Sequence, residues 1–146
     1  MSTSSRWWIL LLSEFRRLDR TEQTLLITLT VALLLTKLLI AMVGLERTQW
    51  VSMRALRWTA RLHVTDHTQL AWAVRAGANV TPVEITCLPR AVVGHALFKA
   101  HGYESTIQFG IRQETGELLA HAWVEHAGEV VIGAEEDPDR FHPLTR

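Results

Sequence analysis

The hydrophobic pattern of the chain is densest between residues 25 and 45, where nearly every side chain is apolar. A run of about 20 apolar residues has the length of a membrane-spanning helix. Thr21, followed by Glu22, is a suitable start for this helix. Lys37 lies well inside the run, and it would cost roughly 2.5–3.5 kcal/mol at the centre of a bilayer. The pattern therefore leaves two interpretations open: a membrane helix, or a long, largely buried helix that packs on the domain that follows.

A second helix is predicted over residues 50–62. Its apolar positions Val51, Leu56 and Ala60 are expected to face inwards, and its arginines are expected to face outwards. This helix completes a helical N-terminal region at residues 1–62.

The remaining residues, 63–146, are predicted to form a separate domain that begins with a polar, linker-like stretch. A short helix is expected over residues 68–75, and the small residues at 76–79 are expected to end it. The next helix is better defined. Thr86 can cap it, and a glycine at position 102 is suited to ending it.

The pattern then changes to the two-residue alternation of half-buried strands. Strands are predicted over residues 107–111, 118–125 and 129–132, joined by turns at Thr115-Gly116 and Ala127-Gly128. Helices followed by an antiparallel meander indicate an α+β fold.

Composition narrows the range of functions. Fifteen basic and fifteen acidic side chains give a net charge of zero, which argues against a protein that binds nucleic acid through counterion release. The charge is unevenly spread, because residues 1–61 carry nine basic and four acidic side chains and the remainder carries six and eleven. The single cysteine excludes a disulfide framework and a paired-cysteine zinc site, and it is compatible with a reducing cytoplasm. The histidine and acid spacings match no metal-ligand pattern, and no cofactor is predicted.

The single cysteine, Cys87, is a candidate nucleophile because it opens a predicted helix, where the backbone amides and the helix dipole favour a thiolate. A cysteine nucleophile needs a base, which is usually histidine. Of the seven histidines, His121 is the best placed, since it sits in the middle of a strand on the face shared by Trp123 and Glu125. Trp123 and Arg90 are expected to shape the site as well as to pack it.

A third residue would orient the imidazole, and its identity depends on the register of the hairpin after His121. If the hairpin pivots on Ala127, the numbers of two paired residues add up to 254. His121 then lies opposite Gly133, and Glu135 and Asp137 share the face of His121. If the turn is centred on Ala127-Gly128, the numbers add up to 255. His121 then lies opposite Ala134, and Glu136 becomes the candidate. The candidates are therefore Glu135, with Glu136, Asp137 and Glu125 as alternatives.

Several short motifs occur together in the second half of the chain. They are Cys-Leu-Pro-Arg at 87–90, His-Gly-Tyr at 101–103, Ile-Gln-Phe-Gly-Ile at 107–111, Ala-His-Ala-Trp-Val-Glu at 120–125, Gly-Glu-Val-Val-Ile-Gly at 128–133 and Phe-His-Pro-Leu at 141–144. In these motifs the chain resembles the lasso-peptide leader peptidases, the transglutaminase-like B-protein family. The apolar helical stretch at 22–60 also resembles the leading region of these proteins.

This resemblance implies a papain-like cysteine peptidase on a transglutaminase-type fold, in which a helix carrying the cysteine packs on an antiparallel sheet carrying the histidine. Cys87 would be the nucleophile and His121 the base, with an acid on the next strand. The chain departs from the family at that acid, because Gly133 stands at the position of the family's aspartate. The acid is therefore displaced to Glu135 or one of its alternatives, or it is missing.

The resemblance also implies partners. The chain looks like the stand-alone form of the peptidase, which works with a separate leader-recognition protein on a lasso precursor peptide, before an asparagine-synthetase-like cyclase closes the ring. The expected location is the cytoplasm, with membrane association through residues 25–45 left open. Two rival functions remain: a small membrane-anchored interaction module, and a thiol acyltransferase or transglutaminase, since the same dyad supports acyl transfer.

Overall fold

The computed structural model describes residues 12–144 and shows the α+β architecture predicted from the sequence. The helices are α1 (Arg20–Val43), α2 (Leu45–Ala55), α3 (His67–Val80) and α4 (Cys87–Ala100), with 3-10 turns at Leu56–Arg61 and Pro138–Arg140. The strands are β1 (Thr106–Glu114), β2 (Glu117–His126), β3 (Glu129–Ile132) and β4 (His142–Pro143). Residues 12–17 are also helical.

The long apolar run forms α1, which begins one residue before the predicted Thr21. Asp19 caps it in a reciprocal arrangement: the Asp19 carboxylate accepts from the Glu22 amide at 2.8 Å, and the Glu22 carboxylate accepts from the Asp19 amide at 3.1 Å. The helix is long and apolar enough to cross a membrane by length and composition. Only 22% of its most apolar window is buried, so the core covers one face of α1 and leaves the rest uncovered.

The segment after α1 differs from the single helix predicted over residues 50–62. The helix α2 starts earlier, and a 3-10 turn replaces its last part. Leu56 is buried as expected, but the inward prediction for Val51 and Ala60 is wrong, because both are exposed. Side chains with hydroxyl groups take the inward positions instead, and they bond to nearby groups: Thr48 to Gly44 O, Thr59 to Leu56 O and Ser52 to Thr36. A hydroxyl group that has a hydrogen-bond partner can be buried at little cost in free energy. A prediction based on the hydrophobic pattern alone does not detect such buried positions.

The helix α3 continues through residues 76–79, so the predicted stop is wrong. Gly77 packs directly against α1: an added Cβ would lie 3.3 Å from the Thr30 amide nitrogen and 3.4 Å from the Leu29 Cβ. The small residues therefore allow two helices to approach closely and do not end one.

The helix α4 occupies the centre of the molecule. Its fully buried side chains are Ala91, Val92, Val93, Ala96, Leu97 and Phe98, each at most 1% exposed. All of these except Val92 belong to one hydrophobic core with Leu25, Leu29 and Leu33 of α1 on one side and Ala122 and Val124 of β2 on the other. The core thus draws side chains from both sides of the predicted boundary at residue 62, and the predicted packing of the cysteine helix on the sheet is confirmed.

The sheet is antiparallel with strand order β3-β2-β1-β4. Both predicted turns are present, and both of their central residues have positive φ: 48° and 86° at Thr115-Gly116, and 52° and 81° at Ala127-Gly128. This is the turn geometry that matches the twist of a two-residue hairpin. The edge strand β4 pairs with β1 and was not predicted, because two residues are too few to show an alternation.

Candidate functional site

Cys87 is the first residue of α4 and is half-buried. Thr86 occupies the N-cap position, but within the described part of the chain its side chain makes no capping bond. The amides of Cys87 and Leu88 are therefore not used by a side-chain cap, and Pro89 in the first turn has no amide hydrogen to donate. Among the described residues, this arrangement places a thiol beside backbone amides that the N-cap side chain does not occupy.

Cys87 and His121 line the same cavity, which has a volume of about 120 Å³. The cavity lies where the start of α4 meets β2 and the segment after β3. The other residues that line it are Glu84, Ile85, Thr86, Arg90, Gly133, Glu135 and Glu136. Residues separated by more than thirty positions in the sequence are thus brought to one small site, and the predicted cysteine and histidine are among them.

His121 packs against two aromatic rings, which also contact each other, and is only 5% exposed. Its ring centroid lies 5.8 Å from that of Trp123 in a stacked arrangement and 5.1 Å from that of Phe141. Gly110 makes room for this packing, because an added Cβ there would lie 2.7 Å from the Phe141 Cβ. The imidazole is therefore fixed in orientation by packing.

A single hydrogen bond distinguishes the two nitrogens of His121. Nε2 lies 2.8 Å from the carbonyl oxygen of Gly133, and since a carbonyl can only accept, Nε2–H is the donor. The neutral ring then carries its proton on Nε2, which leaves Nδ1 as an acceptor. Nδ1 is buried and has no hydrogen-bond partner among residues 12–144. A buried acceptor next to a cysteine-lined cavity is suited to receive a proton from a thiol.

The position of the Gly133 carbonyl follows from the backbone of this residue. Its φ is +91°, a conformation that residues with a side chain rarely adopt. An added Cβ would also lie 2.9 Å from the Trp123 Cβ and 3.1 Å from the Ala122 carbonyl oxygen. Glycine is therefore required here on two independent grounds, and the residue contributes a backbone oxygen where the resembled family has a carboxylate.

The strand register explains why the carbonyl reaches His121. Pairs next to the turn sum to 255, as in Glu125 opposite Val130, and the alternative sum of 254 is not observed. The register then shifts between Val124 and Glu125, so that Val124 pairs with Ile132. This irregularity adds one residue to β3, and the ladder ends before it reaches His121. Contact with the histidine passes to the residue just beyond the strand.

The four predicted acids lie in different places, and within residues 12–144 none of them bonds to His121. Glu135 and Glu136 line the cavity. The Glu135 carboxylate also lies 3.7 Å from Nε of Arg75, with half of its side chain exposed. Asp137 caps the 3-10 turn by accepting from the Asp139 amide at 3.2 Å, and Glu125 accepts from Trp123 Nε1 at 2.9 Å.

Two further basic residues are connected to the cavity: one lines it, and the other bonds to a residue that lines it. Arg90, expected to shape the site, lines the cavity one helical turn after Cys87, and its buried Nε has no partner in the described residues. Lys37 was not predicted: its Nζ donates to the carbonyl of Glu84 at 2.5 Å, in the loop that leads to α4. A lone charge inside an apolar run was the available signal. It predicted a cost in a membrane, whereas the structure gives it a partner in the protein.

The family model described as the transglutaminase-like superfamily matches residues 30–146, which is most of the chain. The match begins within α1 and includes Cys87, His121 and Gly133. No curated protein and no solved structure matches the chain. The extent of the family match, together with the cysteine helix packed on a sheet that carries the histidine, shows that the chain belongs to the transglutaminase-like superfamily.

Proposed function

We propose that this protein is a cysteine peptidase that removes the leader peptide from a ribosomally made lasso-peptide precursor. The observation that carries the peptidase chemistry is the meeting of Cys87 with His121, whose Nδ1 is buried and unpartnered in residues 12–144, at one cavity. Membership of a superfamily whose enzymes are usually cysteine-dependent supports the same chemistry. The substrate is inferred from the resemblance of residues 87–144 to the leader peptidases.

The proposed reaction uses the thiol and the imidazole in turn. His121 Nδ1 takes the proton of Cys87, and the Cys87 sulfur attacks the carbonyl carbon at the junction of leader and core. The oxygen of the tetrahedral intermediate accepts hydrogen bonds from amides at the start of α4. The C–N bond then breaks as the protonated His121 gives its proton to the core amine, which leaves a leader thioester. Water, deprotonated by His121, hydrolyses this thioester and restores the thiol.

We assign the orienting role in this mechanism to the backbone carbonyl of Gly133, which already holds Nε2–H. Glu135, the acid expected from the sequence, would act from the cavity wall through its charge, and Glu136 would do the same. Asp137 and Glu125 already have structural partners, the Asp139 amide and the Trp123 indole.

The proposed partners follow from the same resemblance. They are the lasso precursor peptide, a separate leader-recognition protein and an asparagine-synthetase-like lasso cyclase that acts on the freed amine. The proposed location is the cytoplasm, where the single thiol stays reduced.

The deciding experiment is leader cleavage followed by mass spectrometry. The protein is mixed with the precursor peptide and the recognition protein encoded beside it, in parallel with Cys87→Ala and His121→Ala. We expect cleavage at one junction in the parent and none in either variant. His142→Ala is the matched control, because His142 is exposed and does not line the cavity. Unchanged cleavage by Cys87→Ala would refute the mechanism and favour a non-catalytic interaction module.

Acyl transfer to an amine is the second candidate, and the acidic wall of the cavity favours it. Glu84, Glu135 and Glu136 would attract a protonated amine to the thioester. The same cleavage assay with an added primary amine separates the two reactions. A leader ending in a free carboxylate indicates hydrolysis, and a leader joined to the amine indicates transfer.

A further inference from the structure

Within residues 12–144, the helix α1 has a second apolar face that the core does not cover. Ile27, Val31, Leu35, Leu38 and Met42 are between 50% and 71% exposed. Their spacing of three and four residues places them in one row along the helix. We call this row the outer α1 face. The buried residues Leu25, Leu29 and Leu33 lie on the opposite side.

The apolar surface extends beyond the outer α1 face on both sides. A groove of about 600 Å³ beside Ile27 and Val31 is lined by Leu12, Phe15 and Trp72 as well. A second groove of about 230 Å³ lies between α1 and the segment that carries Val51 and Trp58. Of the fourteen exposed large hydrophobic side chains in residues 12–144, eleven lie between residues 12 and 58. The uncovered apolar surface is therefore concentrated at this end of the molecule.

The same segment is the basic part of the chain. Residues 12–61 carry eight basic and four acidic side chains, whereas residues 62–146 carry six and eleven. The helix α2 and the 3-10 turn after it contribute exposed Arg47, Arg54, Arg57 and Arg61, together with the exposed indoles of Trp50 and Trp58. Trp50, Arg54 and Arg57 line a groove with Lys99 and Ala100, whereas Trp58 lies beside α1. Arg20, seven residues before Ile27, is exposed on the same side of α1 as the apolar row. Apolar side chains, arginines and tryptophans within one segment are typical of segments that lie in the interface of an anionic bilayer.

We propose that the outer α1 face binds the surface of an anionic lipid bilayer, with α1 lying in the plane of the membrane. The apolar row would enter the acyl boundary, and the arginines would contact lipid phosphates. A second copy of the chain is a poorer occupant, because an isologous contact would bring the basic segments of two chains together.

An in-plane position agrees with the contacts that α1 makes inside the protein. Leu25, Leu29 and Leu33 are fully buried in the core, so a spanning helix would have to leave it. Lys37 is turned roughly 100° around the helix from Leu38, and its ammonium bonds to the Glu84 carbonyl. The helix can thus present one face to lipid while the other holds the domain. The proposal does not depend on the reaction at Cys87.

The test is co-sedimentation of the full chain with lipid vesicles, either of phosphatidylcholine alone or with one third phosphatidylglycerol. We expect binding to the anionic vesicles, weakened by salt, and little binding to the neutral ones. The double variant Leu35→Glu/Leu38→Glu should bind at least about tenfold more weakly. The control is Leu118→Glu, which places the same change at a leucine that is 69% exposed on β2, and its binding should match the parent.

Circular dichroism establishes that the double variant is folded, since both leucines are already exposed. Failure of the parent to bind anionic vesicles would overturn the proposal, as would undiminished binding by the folded double variant. A parent that is dimeric without lipid, and is made monomeric by the double variant, would assign the face to a second copy. Bound protein that resists both high salt and alkaline carbonate would overturn the in-plane position in favour of a spanning helix.

Discussion

At His121 the two ring nitrogens have different surroundings, and this difference decides what the residue can do. Nε2–H is held by a neutral carbonyl, and Nδ1 is left free as an acceptor among the described residues. A carbonyl fixes the tautomer as well as a carboxylate does, but it stabilises the charged imidazolium less. The site therefore gains its orientation from backbone geometry and from the packing of Trp123 and Phe141, and the cavity-wall acids supply charge from further away.

Substitution of Gly133 tests this assignment at one residue. Gly133→Ala adds a Cβ that meets Trp123 and strains a backbone with φ of +91°, so the carbonyl must move away from His121. We expect kcat/KM for leader cleavage to fall about 100-fold or more. Nitrogen-15 NMR of His121 should show the Nε2–H tautomer in the parent and its loss in the variant.

Gly128→Ala is the matched control, because Gly128 has φ of +81° and nothing lies within 4 Å of an added Cβ. It carries the same backbone penalty, about 1 kcal/mol, and its activity should stay near that of the parent. Glu135→Gln should lower kcat/KM by no more than about tenfold if its charge acts only from the wall. A loss from Glu135→Gln as large as that from Gly133→Ala would return the orienting role to the acid.

At the scale of elements, the sequence was informative where a pattern repeats. The strands β1 and β2 and the helix α4 are present where the sequence predicted them, because each is marked by a pattern that extends over several residues. The predicted alternation of burial is not observed in β2, where residues 121–124 are all buried, and the expected Thr86 cap makes no hydrogen bond in the described residues. The register of β3 could not be predicted in this way. The strand carries one added residue opposite Val124 and Glu125, and a single irregularity leaves no repeating pattern in the sequence. Gly77 was misread for a related reason: a close helix contact and a helix end both favour glycine.

The candidate site divides along the same line. Cys87 and His121 could be predicted, because each stands at a position with local meaning, a helix start and the middle of a strand. The role of the Gly133 carbonyl could not be predicted, because every residue has a backbone oxygen and no residue type identifies one that contacts a histidine. The absence of the family's aspartate was the only signal that another group had taken its place.

The contact between α1 and the loop before α4 predicts an effect of one element on another. Lys37→Met keeps the length of the side chain but removes the donor to the Glu84 carbonyl. We expect a loss of roughly 0.5–1.5 kcal/mol in the free energy of unfolding and a fall of several-fold in kcat/KM, because the loop that positions Cys87 loses a tether. The measurements are chemical denaturation and the cleavage assay.

Lys99→Met is the control for this element. Lys99 also makes a close polar contact, 2.8 Å to Glu104, but its partner does not line the cavity, whereas Glu84, the partner of Lys37, does. Its removal should leave kcat/KM unchanged. Equal effects of the two substitutions on activity would show that the Lys37 contact has no special role in the site.

At the scale of the whole molecule, two functions are proposed for opposite sides of one helix. The core-facing side of α1 supports the domain that carries Cys87, and the outer α1 face is available to lipid. The uneven charge of the chain suits this division, because the basic side chains are concentrated in the segment that carries the outer α1 face and acids line the cavity that contains Cys87. An anionic membrane would then attract one end of the molecule and leave the acidic remainder directed away from the lipid.

The stability of the whole fold should depend on pH through two half-buried histidines, His95 within α4 and His101 directly after it. Burial lowers the pKa of His95 below its ordinary value of 6.5, Lys99 lowers it further, and Glu104 partly opposes the shift. Burial alone lowers the pKa of His101. Below pH 6.5 the unfolded chain takes up protons at these residues before the folded chain does, so the free energy of unfolding must decrease as the pH falls. Above that pH both states are neutral here, and this contribution is fully present.

Denaturant unfolding between pH 5 and pH 8 measures this dependence. We expect the free energy of unfolding to be nearly constant above pH 7 and to fall steadily towards pH 5. His101→Gln should flatten the fall, because the replacement is neutral in both states. The window separates these histidines from Asp66 and Glu104, whose hydrogen bonds to Thr68 and Lys99 lower the pKa of each carboxyl, so that their contributions are lost only at more acidic pH. If the free energy of unfolding of His101→Gln falls towards pH 5 as steeply as that of the parent, burial of His101 does not change its protonation. The fall would then arise elsewhere in the molecule.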